Sequence, residues 1–343
     1  MGIIRRAGGF VGSHMPVVVP CCVVLGVLLP EVFGVFKPVV PFLFAIITFQ
    51  GSLNTSLRQI VRTFRHPHEL IAILVASIVV MPALARLAGG LVFPDFEIVA
   101  GIVIEYSIPV AVVSFMWIDM YRGNASLGLA AILLSTVLAP VTLPVTIQLL
   151  MGTAVEVDVV SMVKDLAVMV AVPALAGVAV NELTDGWGHE ALSPAISPAC
   201  RLLAVFVILC NSTGMSAYVL AFDPVVAQVA LFILVFALFG FMLGLTVACL
   251  MHVPPADLYS MVFCVGLRNI SSGAVIAAEF FPGAAIIPVM MGTLFQQVLA
   301  ALVSAALQRL TDEERERGRR RVLMARFLQR RGVRGGARDG GVR

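Results

Sequence analysis

Four stretches of the chain, 123–155, 202–222, 224–256 and 280–308, each run for more than 20 residues without a charged side chain. At 1.5 Å per residue, about 20 apolar residues in a helix cross the roughly 30 Å hydrocarbon layer of a bilayer. Such a segment must satisfy its own backbone polar groups inside lipid, which a helix does. Composition points the same way, with 60% hydrophobic and 13% charged residues against about 45–50% and 25% in soluble domains. The chain reads as an all-α polytopic membrane protein. Cytosolic cleft chemistry, nucleic-acid reading and a disulfide scaffold lose their basis. Cys21, Cys22, Cys200, Cys210, Cys249 and Cys264 lie in apolar runs without metal-ligand spacing and read as small hydrophobes. No nucleophile–base pair or phosphate loop appears, so no enzyme is expected.

Charges, prolines and glycines divide the chain into about ten spans: 16–34, 38–56, 69–89, 97–118, 125–150, 161–181, 199–220, 224–250, 258–278 and 284–307. Arg5, Arg6, Arg58, Arg62, Arg65, Arg122, Arg201 and the C-terminal tail put 19 of the 23 basic residues on one side. Lys37 and Lys164 are the main exceptions. By the positive-inside rule both termini are expected in the cytoplasm of a multi-pass plasma (inner) membrane protein. Residues 1–15 form an N-terminal lead, in which Gly12-Ser13-His14-Met15 also resembles an expression-tag scar. Residues 16–308 form the transmembrane domain. From Arg309 the tail holds twelve basic and five acidic residues, a net +7, against 11 and 15, a net −4, in the rest. Its Gly/Arg-rich end is expected to be partly disordered and to attract anionic lipid.

Ten spans split into 16–150 and 161–308, five each, which places the halves in opposite orientations. The fourth member of each half carries the same anomaly. In the first half, Glu105, Pro109, Ser114 and Asp119 interrupt one apolar crossing; in the second, Gly266, Arg268, Asn269, Ser271, Ser272 and Gly273 do so. A proline removes a helix hydrogen bond and Gly/Ser/Asn clusters supply alternative partners, so the fourth and ninth helices are expected to be discontinuous and to cross. Two inverted five-helix repeats with broken helices are a transporter pattern.

Several motifs carry a family resemblance. Tyr121-Arg122-Gly123-Asn124 follows a Pro-containing fourth span and precedes LLSTVLAPVTLPVTIQLLMG; ITFQGSLN lies in the second span, SIVVMPALARLAG in the third and VGLRNISSGAVIAA in the ninth. Together they resemble the bile acid:sodium symporter family, also called BASS, over most of residues 16–308. The resemblance implies a ten-helix fold with a core domain, a panel domain and two crossing helices. It also implies transport of organic anions such as bile acids, keto acids or vitamin precursors, generally with sodium.

The resemblance further implies sodium sites built from oxygens of the third, fourth, fifth and ninth spans, since a hard cation needs oxygen ligands. Ser114 and Asn269 keep such an oxygen. Phe115, Gly128 and Ile132 do not, and Ser77 stands at a Gln position before Met81-Pro82. Against the family's Glu-x-Gly-x-Gln-Asn motif, Cys264 takes the Glu position and Arg268 the Gln position. Sodium coupling is therefore doubtful. An arginine near the bilayer centre requires a partner or a wet cavity, and Glu105, one turn before Pro109, is the expected one. The pair serves either as a built-in replacement for sodium, giving proton-coupled or uncoupled transport, or as a purely structural ion pair. Direct binding of a substrate carboxylate by Arg268 overlaps the first role.

Glu105, Ser114, Arg268, Asn269, Ser271 and Ser77 are thus the candidate substrate or coupling residues, with Ser114 and Asn269 the residual sodium-type positions. The expected function is alternating-access transport of a small organic anion, with membrane lipid as the surroundings and no cofactor or nucleic-acid partner. A non-transporting sensor or scaffold that retains the fold is the alternative.

Overall fold

The computed structural model describes residues 2–55, 67–152, 159–221, 223–281 and 283–309. The expectations placed on Arg58, Arg62, Arg65 and the tail beyond Arg309 lie outside the described residues. Two compact units divide the chain, Met1–Ala300 and Ala301–Arg343, and the site residues described below belong to the first.

Among the described residues every regular element is helical, apart from one isolated two-residue bridge. The N-terminal part folds as α1 (Gly2–Ser13), α2 (Met15–Leu28), α3 (Pro30–Gly34) and α4 (Val40–Ser52). Next come α5 (Pro67–Val92), α6 (Phe96–Ser107), α7 (Val113–Met120) and α8 (Ala125–Met151). The remainder comprises α9 (Val160–Leu183), α10 (Gly188–Leu220), α11 (Pro224–Leu250), α12 (Pro255–Gly266), α13 (Ile270–Phe280) and α14 (Ile286–Arg309). Six of these, α5, α8, α9, α10, α11 and α14, are 24 to 33 residues long and apolar enough to cross a membrane. This is an integral, multi-pass membrane protein.

Two differences from the sequence expectation stand out. The N-terminal lead is helical as α1 and packs on α10, where a Cβ on Gly8 would meet the backbone of Pro198. The seventh expected span, 199–220, begins eleven residues earlier, at Gly188. Both Pro194 and Pro198 look like helix breakers in sequence, yet the helix runs through them.

A local device explains how such prolines fit. Among the described residues three helices contain a π turn, and each turn is followed two residues later by a proline: Ala76–Val80 then Pro82, Ala167–Ala171 then Pro173, and Gly188–Leu192 then Pro194. A proline ring crowds the carbonyl four residues before it. Those carbonyls belong to Ile78, Met169 and Glu190, each inside the widened turn, which gives the ring room without ending the helix.

Helices α2, α4, α10 and the second part of α9 pack on one another, as do α5, α6, α8, α11 and α12. In the second group α11 and α12 approach closely through small residues. A Cβ on Gly244 would sit 2.9 Å from the Val262 Cα, and such small faces let membrane helices gain packing contacts. Side-chain caps start the helices that frame the site: Asp95 for α6, Asn124 for α8, Asp223 for α11 and Asn269 for α13.

Candidate functional site

Helix α6 stops at Ser107 because Ile108 turns extended before Pro109, a residue that disfavours helix in its predecessor and lacks an amide donor. Helix α12 stops at Gly266, with Leu267 extended, and α13 restarts after Asn269. The two extended connections run antiparallel through the protein interior and pair. Val110 and Arg268 form the bridge, Ala111 N donates to Leu267 O at 3.1 Å, and Asn269 N donates to Pro109 O at 2.9 Å. Each break thereby satisfies backbone groups that the other leaves orphaned, as burial requires.

Neighbouring helices complete the accounting. Val110 N donates to Ser135 Oγ at 3.1 Å on α8, and Ser135 Oγ donates to Ile132 O at 3.0 Å. Arg268 N donates to Gln296 Oε1 at 3.0 Å on α14. One residue on, Gln297 Oε1 accepts from Trp117 Nε1 on α7 at 3.2 Å. The Gln296-Gln297 pair thus performs helix–helix hydrogen bonding at the crossing. Asn124 adds a tie at one end, its Nδ2 donating to Asp257 Oδ1 in the first turn of α12 at 2.7 Å.

Around this crossing lie the residues singled out from sequence. Glu105 and Arg268 are buried, at 3% and 2% exposure, and within electrostatic reach of one another. They do not form the expected hydrogen-bonded ion pair. Glu105 Oε2 and all three guanidinium nitrogens of Arg268 have no hydrogen-bond partner. The reason is anchorage on different elements. Glu105 projects from α6 against Gly292 of α14, where a Cβ would run into its Oε1, whereas the Arg268 backbone is pinned by Val110 and Gln296.

Ser114 is buried and donates to Phe263 O at 3.3 Å, which ties α7 to the last turn of α12. Asn269 caps α13 by accepting from Ser272 N at 3.4 Å. Ser77 lies buried in the π turn of α5, its hydroxyl without a partner. Ser271 is only half-buried, and the fully buried, unpartnered hydroxyl belongs to its neighbour Ser272. Tyr106, next to Glu105, also buries an unpartnered hydroxyl within electrostatic reach of Arg268. Sequence reasoning missed Tyr106, Ser135 and Ser272 as site residues. The Pro-containing break nearby was the available signal for Tyr106, and the Ser-Ser doublet for Ser272.

Positions where the resemblance implies sodium oxygens are packed with hydrocarbon. A Cβ on Gly128 would lie 2.5 Å from Ile118 Cδ1, and Ile132 and Cys264 are buried. Arg268 is also near enough to Cys264 for its charge to be felt there. Phe115, Gly128, Ile132 and Cys264 themselves offer a hard cation no side-chain oxygen. A guanidinium whose three nitrogens are all unpartnered can grip a carboxylate through two hydrogen bonds at once.

The model of the sodium bile acid symporter family matches residues 40–222. The chain is 36% identical over 296 residues to the uncharacterized protein YbaS of Bacillus subtilis (strain 168), covering 86% of this chain and 97% of that protein. It is 25% identical over 293 residues to the uncharacterized sodium-dependent transporter YocS of the same organism, with 84% and 88% covered. A probable chloroplastic sodium/metabolite cotransporter, BASS1 of Arabidopsis thaliana, is 23% identical over 318 residues, with 91% and 78% covered.

Proposed function

The chain belongs to the sodium bile acid symporter family, and from that premise we propose that it is a secondary transporter of a small carboxylate-bearing organic anion that works by alternating access. The carrying observation is Arg268: a buried guanidinium with three unpartnered nitrogens, set where two interrupted helices exchange backbone hydrogen bonds. In this proposal Arg268 receives the solute carboxylate or stands in for a coupling cation, and Glu105 and Tyr106 tune its field. Ser77 and Ser272 offer further hydroxyls, while Ser114 and Asn269 hold the broken helices in place; Ser271 sits at the margin.

Element order supports the inverted repeat. Among the described residues, taking α2–α3, α6–α7 and α12–α13 as single crossings gives ten, and the two whose breaks pair with one another are fourth in each set of five. Rocking of one helix group against the other around the crossing would then alternate access. The termini are proposed to be cytoplasmic, in the plasma (inner) membrane.

The names of two relatives include sodium. For this chain we propose weak or no sodium dependence, because Phe115, Gly128, Ile132 and Cys264 supply no side-chain oxygen and Arg268 already places a positive charge nearby. The competing role, a scaffold without transport, rests on the same lost oxygens. Reconstituted vesicles decide between them. Saturable uptake of an organic acid, abolished by Arg268→Met in a folded variant, is the expected result; absence of uptake for every carboxylate offered would favour the scaffold.

A further inference from the structure

Away from the helix crossing, an open cavity of about 250 Å³ lies among the turn that leads into α4, the C-terminal part of α10 and the last turn of α13. Its polar lining consists of Lys37, Asn211 and Glu279, and its apolar lining includes Pro41, Val275 and Ala278. Asn211 is 1% exposed, and its Nδ2 has no hydrogen-bond partner. Lys37 and Glu279 are both exposed, and among the described residues no ion pair joins them. Two opposite charges therefore line one small space without pairing, with the unsatisfied Asn211 amide buried at its wall.

We infer that this cavity is a binding site for a small zwitterion of the amino-acid type. Asn211 Nδ2 and the Lys37 ammonium donate to its carboxylate, Glu279 accepts from its ammonium, and its side chain lies on Pro41, Val275 and Ala278. The charges select this class. A simple carboxylate gains Lys37 but meets the like charge of Glu279, and a simple amine gains Glu279 but meets Lys37. A molecule with both groups uses both charges and occupies the donor on Asn211, which a ligand lacking an acceptor would leave unpaired. At about 250 Å³ the cavity is smaller than the roughly 300–1,000 Å³ pockets of drug-sized ligands, which restricts it to a solute with a short side chain.

The location connects this site to the crossing. Its walls come from α4 and α10 of one helix group and from α13, the helix that Asn269 starts immediately after Arg268. The inference rests on the transporter reading and narrows its solute to carboxylates that also carry an ammonium.

The test uses the purified full chain in detergent micelles and three probes that share an isobutyl framework: L-valine, 3-methylbutanoate, which lacks the ammonium, and 2-methylpropan-1-amine, which lacks the carboxylate. Calorimetry should show valine binding at least tenfold tighter than either partial analogue. Glu279→Gln should weaken valine at least tenfold and close its advantage over 3-methylbutanoate, and Asn211→Leu should weaken both carboxylates. Asn211→Leu changes a buried position, so Glu279→Gln at the exposed rim keeps the test intact if the former does not fold. Equal binding of the three probes, no valine binding at millimolar concentration, or a Glu279→Gln protein with unchanged preference would overturn the site. Carboxylate uptake that persists without valine binding would overturn this site alone. Valine binding without uptake of any carboxylate would leave the site standing and remove transport.

Discussion

Asn269 donates its backbone N–H to the carbonyl of Pro109 at 2.9 Å, across 160 residues of sequence. Pro109 interrupts one helix and Asn269 restarts the other, so each helix break is the hydrogen-bonding partner of its counterpart. The same short pairing fixes where Arg268 enters the interior, and most of the consequences below depend on it.

Gln296 holds the Arg268 amide from α14. Gln296→Leu removes the acceptor and leaves a buried N–H unpaired, a loss of about 1–3 kcal/mol. Thermal melts of the purified protein should show a lower midpoint for Gln296→Leu. Gln296→Glu keeps an acceptor at that position and should fall less; equal losses would mean that the bond contributes nothing distinctive.

Arg268 and Glu105 are buried near one another without a direct hydrogen bond. Removing one member of a buried opposite-charge pair strands the other, typically at about 3–5 kcal/mol, whereas removing both can be close to neutral. Arg268→Met and Glu105→Gln should each destabilise more than the double variant does. A cycle in which the single effects add within about 0.5 kcal/mol would show that the two charges are independent. Uptake should be lost in every variant lacking Arg268.

Replacing sodium by potassium on both sides of reconstituted vesicles should change initial uptake by less than about threefold, a free-energy effect under roughly 1 kcal/mol. A steep, saturable rise with sodium alone would show that oxygen ligands other than Ser114 and Asn269 build a site. Gly128→Ser would not restore one, because its side chain would collide with Ile118.

Gly101 and Gly51 provide a paired test of packing. A Cβ on Gly101 would strike the carbonyl oxygen of Ala285, a backbone atom, whereas one on Gly51 would rest 3.8 Å from the methyls of Val112. Gly101→Ala should lower stability by about 1–3 kcal/mol through overpacking. Gly51→Ala should be neutral or slightly stabilising, since alanine is the better helix former. Reversal of that order in thermal melts would mean that α6 and Ala285 are not packed as described.

Topology is open to labelling. A cysteine placed at Asp158 should react with an impermeant reagent from outside intact cells, and tags on both termini should react only after permeabilisation. A terminal tag reached from outside would overturn the orientation drawn from the 19 clustered basic residues.

Length, apolarity and punctuation were enough to reveal a helical membrane protein and the two helix interruptions, because they are local properties. A stretch such as 123–155 without charge has few stable options besides a crossing helix, and Pro109 and the Gly266-to-Gly273 cluster disturb helix hydrogen bonding wherever they sit. Local signals misled at Pro194, where a π turn absorbs the ring, so the helix starts earlier than punctuation suggests. Only the tertiary structure decided which groups meet. It paired Val110 with Arg268, gave the Arg268 amide to Gln296, and replaced Ser271 by Ser272 as the buried hydroxyl. It also kept Glu105 and Arg268 from bonding directly, since one projects from a helix packed on Gly292 and the other from a pinned extended segment. Side-chain contact at that level depends on the relative placement of separate helices to within about an ångström, and hydrophobic length and spacing carry no such information.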